Sequence, residues 1–362
     1  MAGKIGRTEL TLPGGENVSA MAPVIVSASR STDIPAFFAK SFMEKLRRGW
    51  TTWVNPFNRA VSYVSFKNTK AIVFWTKNPG PMLKYLPEID AMGISYYFQY
   101  TLNNYEKEGF EPHVLPLPKR IEIFKELSEQ IGPERVIWRA DPLIIVPGLP
   151  VRDLCARIWE LSKALKGLTR KLVFSFVDVE AYRKVSNNLI KTGLWTKADV
   201  LSAQPGAAQR EEIASDLAKI RDAWHEKGWD FALATCAEGV DLSRYGIEHN
   251  RCIDGELMAR IFKDNQKLMG YLNSFRKPRQ NDLFSGGEAA EFDYKKFKDP
   301  GQRAECGCVL SKDIGMYNTC SHGCVYCYAN TSDEAVKRKL AELRALEENA
   351  VLGGTVIPSA KI

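Results

Sequence analysis

The chain has 362 residues, 45% of them hydrophobic and 26% charged, with a formal net charge of +7. That length buries a full core and fits one large α/β domain or two modest ones, and no window approaches the length of a membrane span. The charge is mildly basic, which permits an anionic partner without arguing for one; eight cysteines behind an N-terminus with no apolar leader imply a reducing, cytoplasmic setting where metal binding outranks disulfides.

Short β-rich runs alternate with helical patterns, the signature of βα units around a parallel sheet. Residues 1–22 read as a leader, in which Pro13-Gly14-Gly15-Glu16 is a turn. Strands are expected at Val24–Ser29, Ala71–Trp75, Tyr96–Thr101, Val136–Arg139, Leu172–Val177 and Phe231–Thr235, each rich in β-branched or aromatic residues. Trp50–Asn55 and Val61–Phe66, around Pro56-Phe-Asn-Arg59, look like an inserted hairpin. Helices are expected at Pro35–Arg48, Pro118–Glu129, Val151–Leu165 and Glu211–Lys227. Leu154, Cys155, Ile158, Trp159 and Leu161 share one face of the third, so Cys155 reads as a core thiol. Seven of the eight tryptophans, including Trp50, Trp53, Trp75, Trp138 and Trp195, lie in or near expected elements and read as core in preference to base-stacking platforms.

Polar residues follow these strands consistently: Ser29-Arg30-Ser31-Thr32-Asp33, Thr76-Lys77-Asn78, Thr101-Leu-Asn103, Arg139-Ala-Asp141 and Asp178. In a parallel barrel the C-terminal strand ends converge on one mouth, where such folds place chemistry. The main β/α unit therefore spans 23–274. Residues 275–303 form a polar connection without periodicity, whose basic clusters Arg276-Lys277-Pro278-Arg279 and Lys295-Lys296-Phe297-Lys298 read as solvated loop. Residues 304–350 are a cysteine-rich unit with a strand-like run at Ile314–Thr319 and a helix at Asp333–Asn349, followed by a tail at 351–362.

Cys320, Cys324 and Cys327 are spaced C-x3-C-x2-C. One short loop then supplies three thiolates, and a [4Fe–4S] cluster held this way keeps one iron without a protein ligand. A zinc site would need His322 as fourth ligand, inside a loop too short for a comfortable tetrahedron. A closed structural cluster is the other alternative; a disulfide framework fails because three clustered thiols cannot all pair. The remaining cysteines, Cys236, Cys252, Cys306 and Cys308, match the count for an auxiliary [4Fe–4S] cluster or a zinc ion, and ordinary thiols are the competing reading.

With Tyr326 before its third cysteine, this motif resembles that of the radical S-adenosylmethionine (SAM) superfamily. Together with Val26-Ser-Ala-Ser-Arg-Ser-Thr-Asp-Ile-Pro35, Phe74-Trp-Thr-Lys-Asn-Pro79 and the run from Cys306 to Ala329, the chain resembles a family of unknown function related to spore photoproduct lyase-like proteins. The resemblance implies a partial or full parallel β/α barrel of TIM type, circularly permuted so that the cluster-binding strand, loop and helix complete it from the C-terminus beside Val24–Ser29. It implies reductive cleavage of SAM to a 5′-deoxyadenosyl radical and hydrogen abstraction from an unknown substrate, whether small molecule, peptide or nucleic acid. A reductant such as flavodoxin or ferredoxin would feed the cluster, and no membrane is involved. Tyr326 would lie beside the adenine. Ser29, Arg30, Thr32 and Asp33, at the matching strand end, would contact SAM, as would Arg139 and Asp141; Asp33 is equally a helix cap and Arg139–Asp141 equally an ion pair. The rival reading is a non-catalytic iron–sulfur or zinc protein that carries electrons.

Overall fold

A computed structural model of the chain describes residues 4–277, 291–303 and 305–351. Within these residues the organising feature is an eight-stranded, all-parallel sheet. Its strands are β1 (Ile25–Ala28), β2 (Ala71–Thr76), β3 (Ser95–Thr101), β4 (Val136–Leu143), β5 (Lys171–Phe176), β6 (Ala232–Thr235), β7 (Ile247–His249) and β8 (Lys312–Asp313). They run in the order β7-β6-β5-β4-β3-β2-β1-β8, so the edges are the seventh strand and the last, which are not paired to each other. The expected inner strands are all present. β7 is an addition, too short to stand out from its polar surroundings.

The far C-terminal strand does join the first. Lys312 pairs with Val26 and Asp313 with Ser27, in parallel. The expected location is corrected by a few residues: Ile314–Thr319 is loop, and the strand is the two residues before it. Side chain bonds explain why so short a strand holds. Asp313 accepts from Ser27 Oγ (2.6 Å), Ser29 Oγ (2.8 Å) and the amides of Arg30 (2.8 Å) and Gly315 (2.9 Å).

Both faces of the sheet are covered, as parallel strands require. Alternate residues Val26, Ile72, Phe74, Phe98, Trp138 and Phe174 pack into the larger core, beneath helices α1 (Ile34–Phe37), α2 (Ala39–Arg48), α3 (Leu117–Ile131), α4 (Val151–Ala164) and α5 (Ala207–His225). The single helix expected over 35–48 is two, because Phe38 leaves the helical region at φ −130°. Cys155 is buried on α4, as its face implied. The opposite residues, Ile25, Val73, Tyr97, Ile137 and Val173, meet a second core built from Cys252–Phe262, Leu268, Leu272, Phe292, Phe297 and Cys308–Val309.

That second core corrects the reading of 275–303 as a solvated connection. Phe297 is fully buried and stacks on Phe275 at 4.1 Å, and Arg276–Lys277 pairs with Glu291–Phe292. Apolar residues at 275, 292 and 297 carry the burial, too far apart in sequence to register as a periodic face. Residues 278–290, with Pro278 and Arg279 of the first basic cluster, lie outside the described residues, as do Ala304 and the tail from 352.

The leader is structured: Arg7–Thr11 and Asn17–Met21 form a hairpin that joins the Trp50–Val54/Val61–Ser65 hairpin in a separate four-stranded sheet. Pro13, Gly14 and Gly15 make its turn, closed by the Gly15 amide on Leu12 O, and Gly15 has φ +84°. After the cysteine loop, helix α6 (Asp333–Val351) follows as expected. No helix among the described residues is long and apolar enough to cross a membrane.

Candidate functional site

Parallel strands put their C-terminal ends on one side, and here those ends open on a cavity of about 1160 Å³. Ser29–Asp33 after β1, Thr76 and Lys77 at β2, Thr101 at β3, Arg139 and Asp141 on β4, and Asp178 after β5 all line it. So do Cys320, Cys324, Cys327 and Tyr326, and also Cys236, Cys252, Cys306 and Cys308. Every residue given a metal or cofactor role from the sequence therefore lines one cavity, while Asn78 and Asn103 of the polar strand ends do not.

The cysteine loop is held at both ends and in the middle. The Asn318 amide donates to Ala329 O (3.1 Å), Asn330 Nδ2 to Cys320 O (2.7 Å), and the Val325 amide to Phe110 O (3.0 Å). Gly323 is needed twice: its φ is +67°, and a Cβ there would stand 3.0 Å from His113 Nδ1. His322 keeps one ring nitrogen, Nδ1, buried without a hydrogen-bond partner. Its Nε2 is 2.8 Å from Asp33 Oδ2 and its ring lies 4.6 Å from Phe37. Burial pushes the Cys320 thiol up to about 12, with the Asp33 charge adding to it, and raises Cys324 and Cys327 as well. Such thiols give up their protons to a thiophilic metal and little else.

Behind the loop lies a polar network that the sequence did not disclose. Glu111 accepts from Lys77 Nζ (2.7 Å), Asn103 Nδ2 (3.1 Å), Arg120 Nη1 (3.3 Å) and the Tyr326 hydroxyl. Lys77 Nζ also donates to the Tyr326 oxygen at 2.8 Å. Tyr326 thus has its hydroxyl anchored, with its ring on the cavity wall. Burial raises the Glu111 carboxyl, but the Lys77 and Arg120 charges and the bonds from Lys77 and Tyr326 outweigh it, leaving the group below its usual value. Glu111 sits in an irregular loop, where no periodicity or spacing marks it out.

The first strand end is divided between structure and availability. Ser29 is committed to Asp313. Asp33 Oδ1 caps α1 through the Ala36 amide (2.9 Å), and Oδ2 takes the Lys77 amide (2.7 Å) besides His322, so the capping reading describes it. Thr32 Oγ1 and Arg30 Nη2, in contrast, are buried with no hydrogen-bond partner. Trp75 lies under the Arg30 guanidinium at 5.1 Å, and Lys312 Nζ sits 3.0 Å from the centroid of Trp53. Both tryptophans line the cavity; this corrects the core reading for Trp53, while Trp75 also packs against the second core.

Arg139 and Asp141 form the ion pair that was the alternative to a ligand role, and Ser175 Oγ donates to the same carboxylate. Arg139 reaches further: Nη1 is 3.0 Å from Cys252 Sγ and 3.2 Å from Gln99 Oε1. Cys252 Sγ in turn is 3.3 Å from Cys236 Sγ. Hydrogen bonds from Cys236 and Cys308 hold the Cys252 thiol well below its ordinary value, and the guanidiniums of Arg139 and Arg30 assist. Among the described residues no three His, Cys, Asp or Glu donors close on a single point as a bound ion would draw them.

No curated protein and no solved structure matches the chain. A family model described as Domain of unknown function (DUF1848) matches residues 25–329, from the first parallel strand to the end of the cysteine loop, and the chain belongs to that family.

Proposed function

We propose that this protein is an iron–sulfur enzyme of the radical SAM type. The observation that carries the reading is the placement of Cys320, Cys324 and Cys327 from one loop on the cavity at the strand ends. Three thiolates from one loop suit a [4Fe–4S] cluster with one open iron, whereas tetrahedral zinc would need His322 Nδ1 from inside the same short loop. The donor set fits the group: three half-buried thiols, beside three buried polar atoms of cavity residues, Thr32 Oγ1, Arg30 Nη2 and His322 Nδ1, that have no partner in the protein. When bound, the cluster would supply the electron that cleaves SAM to methionine and a 5′-deoxyadenosyl radical able to take hydrogen from a substrate.

The chain's own residues have narrower tasks. Arg30 and Thr32 offer donors to the carboxylate or ribose of SAM. Lys77 and Glu111 fix the Tyr326 hydroxyl so that the ring presents a constant wall to the adenine. Trp53 and Trp75 supply apolar surface, and the cavity is large enough for SAM and a second molecule. In this reading β8, the cysteine loop and α6 are the permuted first unit of a β/α barrel. Their pairing beside β1 supports that placement. An electron carrier requires a cluster but no cavity of this size, so the enzyme reading is favoured.

The test is anaerobic reconstitution with iron and sulfide, followed by addition of SAM and dithionite. Formation of 5′-deoxyadenosine, lost in Cys324→Ala, is the expected result. An intact cluster whose spectrum ignores SAM, with no 5′-deoxyadenosine, would move the assignment to a redox carrier.

A further inference from the structure

We infer that Cys236, Cys252, Cys306 and Cys308 hold a second metal centre, a four-thiolate site for zinc or an iron–sulfur cluster, separate from the Cys320–Cys327 loop. Three distant segments deliver these residues. Cys236 immediately follows β6, Cys252 follows β7, and Cys306 and Cys308 lie on the stretch leading to β8. The last two segments are stitched together, since the Val309 amide donates to Ile253 O at 3.0 Å and the Ile253 amide to Cys308 Sγ at 3.3 Å. From below, Tyr97 Oη (2.6 Å) and Gln99 Nε2 (2.9 Å) on β3 both donate to Cys252 O. Gly307 allows Cys306 and Cys308 to flank Arg251, whose Cγ would lie 3.0 Å from a Cβ at that position. The backbone of the site is thus set by contacts that owe nothing to a metal.

Cys252 Sγ lies 3.3 Å from Cys236 Sγ, and Cys306 and Cys308 line the same cavity. Ordinary buried thiols behave as small apolar groups and do not gather donors. These do: Cys252 Sγ accepts from Arg139 Nη1 (3.0 Å) and Asn250 Nδ2 (3.3 Å), and Cys308 Sγ from the Ile253 amide (3.3 Å). N–H donors around sulfur are the outer shell that metal-bound thiolates use.

Two guanidiniums lie near the thiols: Arg139, paired with Asp141, and Arg30, which stands beside Asp313 and whose Nη2 has no hydrogen-bond partner. Cationic groups near a thiol favour its thiolate form. Thiolates about 2.3 Å from a tetrahedral ion stand about 3.8 Å from one another. The 3.3 Å contact between Cys236 and Cys252 is within about half an ångström of that spacing, and Cys306 and Cys308 must turn toward it, since among the described residues no three donors close on one point.

The test uses the full chain with Cys320, Cys324 and Cys327 all changed to Ala, so its outcome does not depend on the SAM reading. Prepared anaerobically with reductant and loaded with zinc or with iron and sulfide, this variant should retain about one zinc or about four irons per chain. Zinc alone identifies a mononuclear site, and iron with equimolar sulfide identifies a cluster; either supports the centre. Adding Cys252→Ala and Cys308→Ala should remove that metal, whereas Cys155→Ala should not. X-ray absorption at the metal edge of the triple variant should show sulfur-only coordination, a readout that survives if the further variants do not fold. No metal uptake, nitrogen or oxygen ligation, or a Cys236–Cys252 disulfide in the reduced preparation would overturn the assignment.

Discussion

Glu111→Gln should destabilise the protein out of proportion to the atoms changed. Glutamine keeps the volume and can still accept from Tyr326, but it removes the negative charge that faces Lys77 at 2.7 Å and Arg120 at 3.3 Å. The Glu111 and Arg120 side chains are 4% and 2% exposed, so solvent cannot replace that charge. Breaking a buried pair from one side costs about 3–5 kcal/mol. Unfolding entropy near roughly 2.1 cal/mol/K per residue makes each kcal/mol worth about 1.3 °C in a chain of this length, so Tm should fall by about 4–7 °C. Scanning calorimetry of Glu111→Gln, Lys77→Met and the double variant measures this directly. The double variant should cost less than the sum of the singles, with a coupling of about 1–3 kcal/mol. The pH dependence has a definite sign. Because the Glu111 carboxyl is held below its usual 4.5, its contribution is complete above that pH and fades as pH falls through the depressed folded value. The variant's stability should therefore be flatter in acid. Additive single effects, or a Tm change within about 1 °C, would show that the network is not a stabilising unit.

Other changes probe the remaining supports. Asp313→Asn disturbs four hydrogen bonds that hold β8 to β1 and should speed hydrogen exchange at the amides of 312–315, with a stability loss of about 1–3 kcal/mol. Gly315→Ala places a Cβ onto the Ser29 hydroxyl and 2.5 Å from Ser31 Oγ; overpacking of about 1–3 kcal/mol should lower the urea midpoint. Phe297→Ala empties the centre of the second core, where the ring stacks on Phe275 and Phe292, and should cost about 3–5 kcal/mol by denaturant unfolding. Thr32→Val removes a buried hydroxyl that bonds nothing in the protein; stability should change by less than about 1 kcal/mol, while the apparent affinity for SAM, followed by the cluster spectrum, should weaken.

The inner strands, the amphipathic α4 and the convergence of polar strand ends could be read from the chain because each depends on local pattern: runs of β-branched residues, a helical apolar face, and the rule that parallel strands end on one side. Cys320, Cys324 and Cys327 were legible for the same reason, since their spacing is a property of one loop. Tertiary structure decided the rest. Ser27 and Asp313 are 286 residues apart, and nothing near either predicts that a two-residue strand at 312–313 closes against β1. Phe275, Phe292 and Phe297 looked like a polar connection until the sheet's second face gave them something to cover. Glu111 gained its place from Lys77, Arg120 and Tyr326, which arrive from three other segments. The four outlying cysteines could be counted in the sequence, but only the fold sets Cys236 against Cys252 and lays Arg139 beside them. Local pattern follows from steric and hydrophobic preferences over a few residues, whereas a polar network is specified by partners that only the folded backbone brings within hydrogen-bond reach.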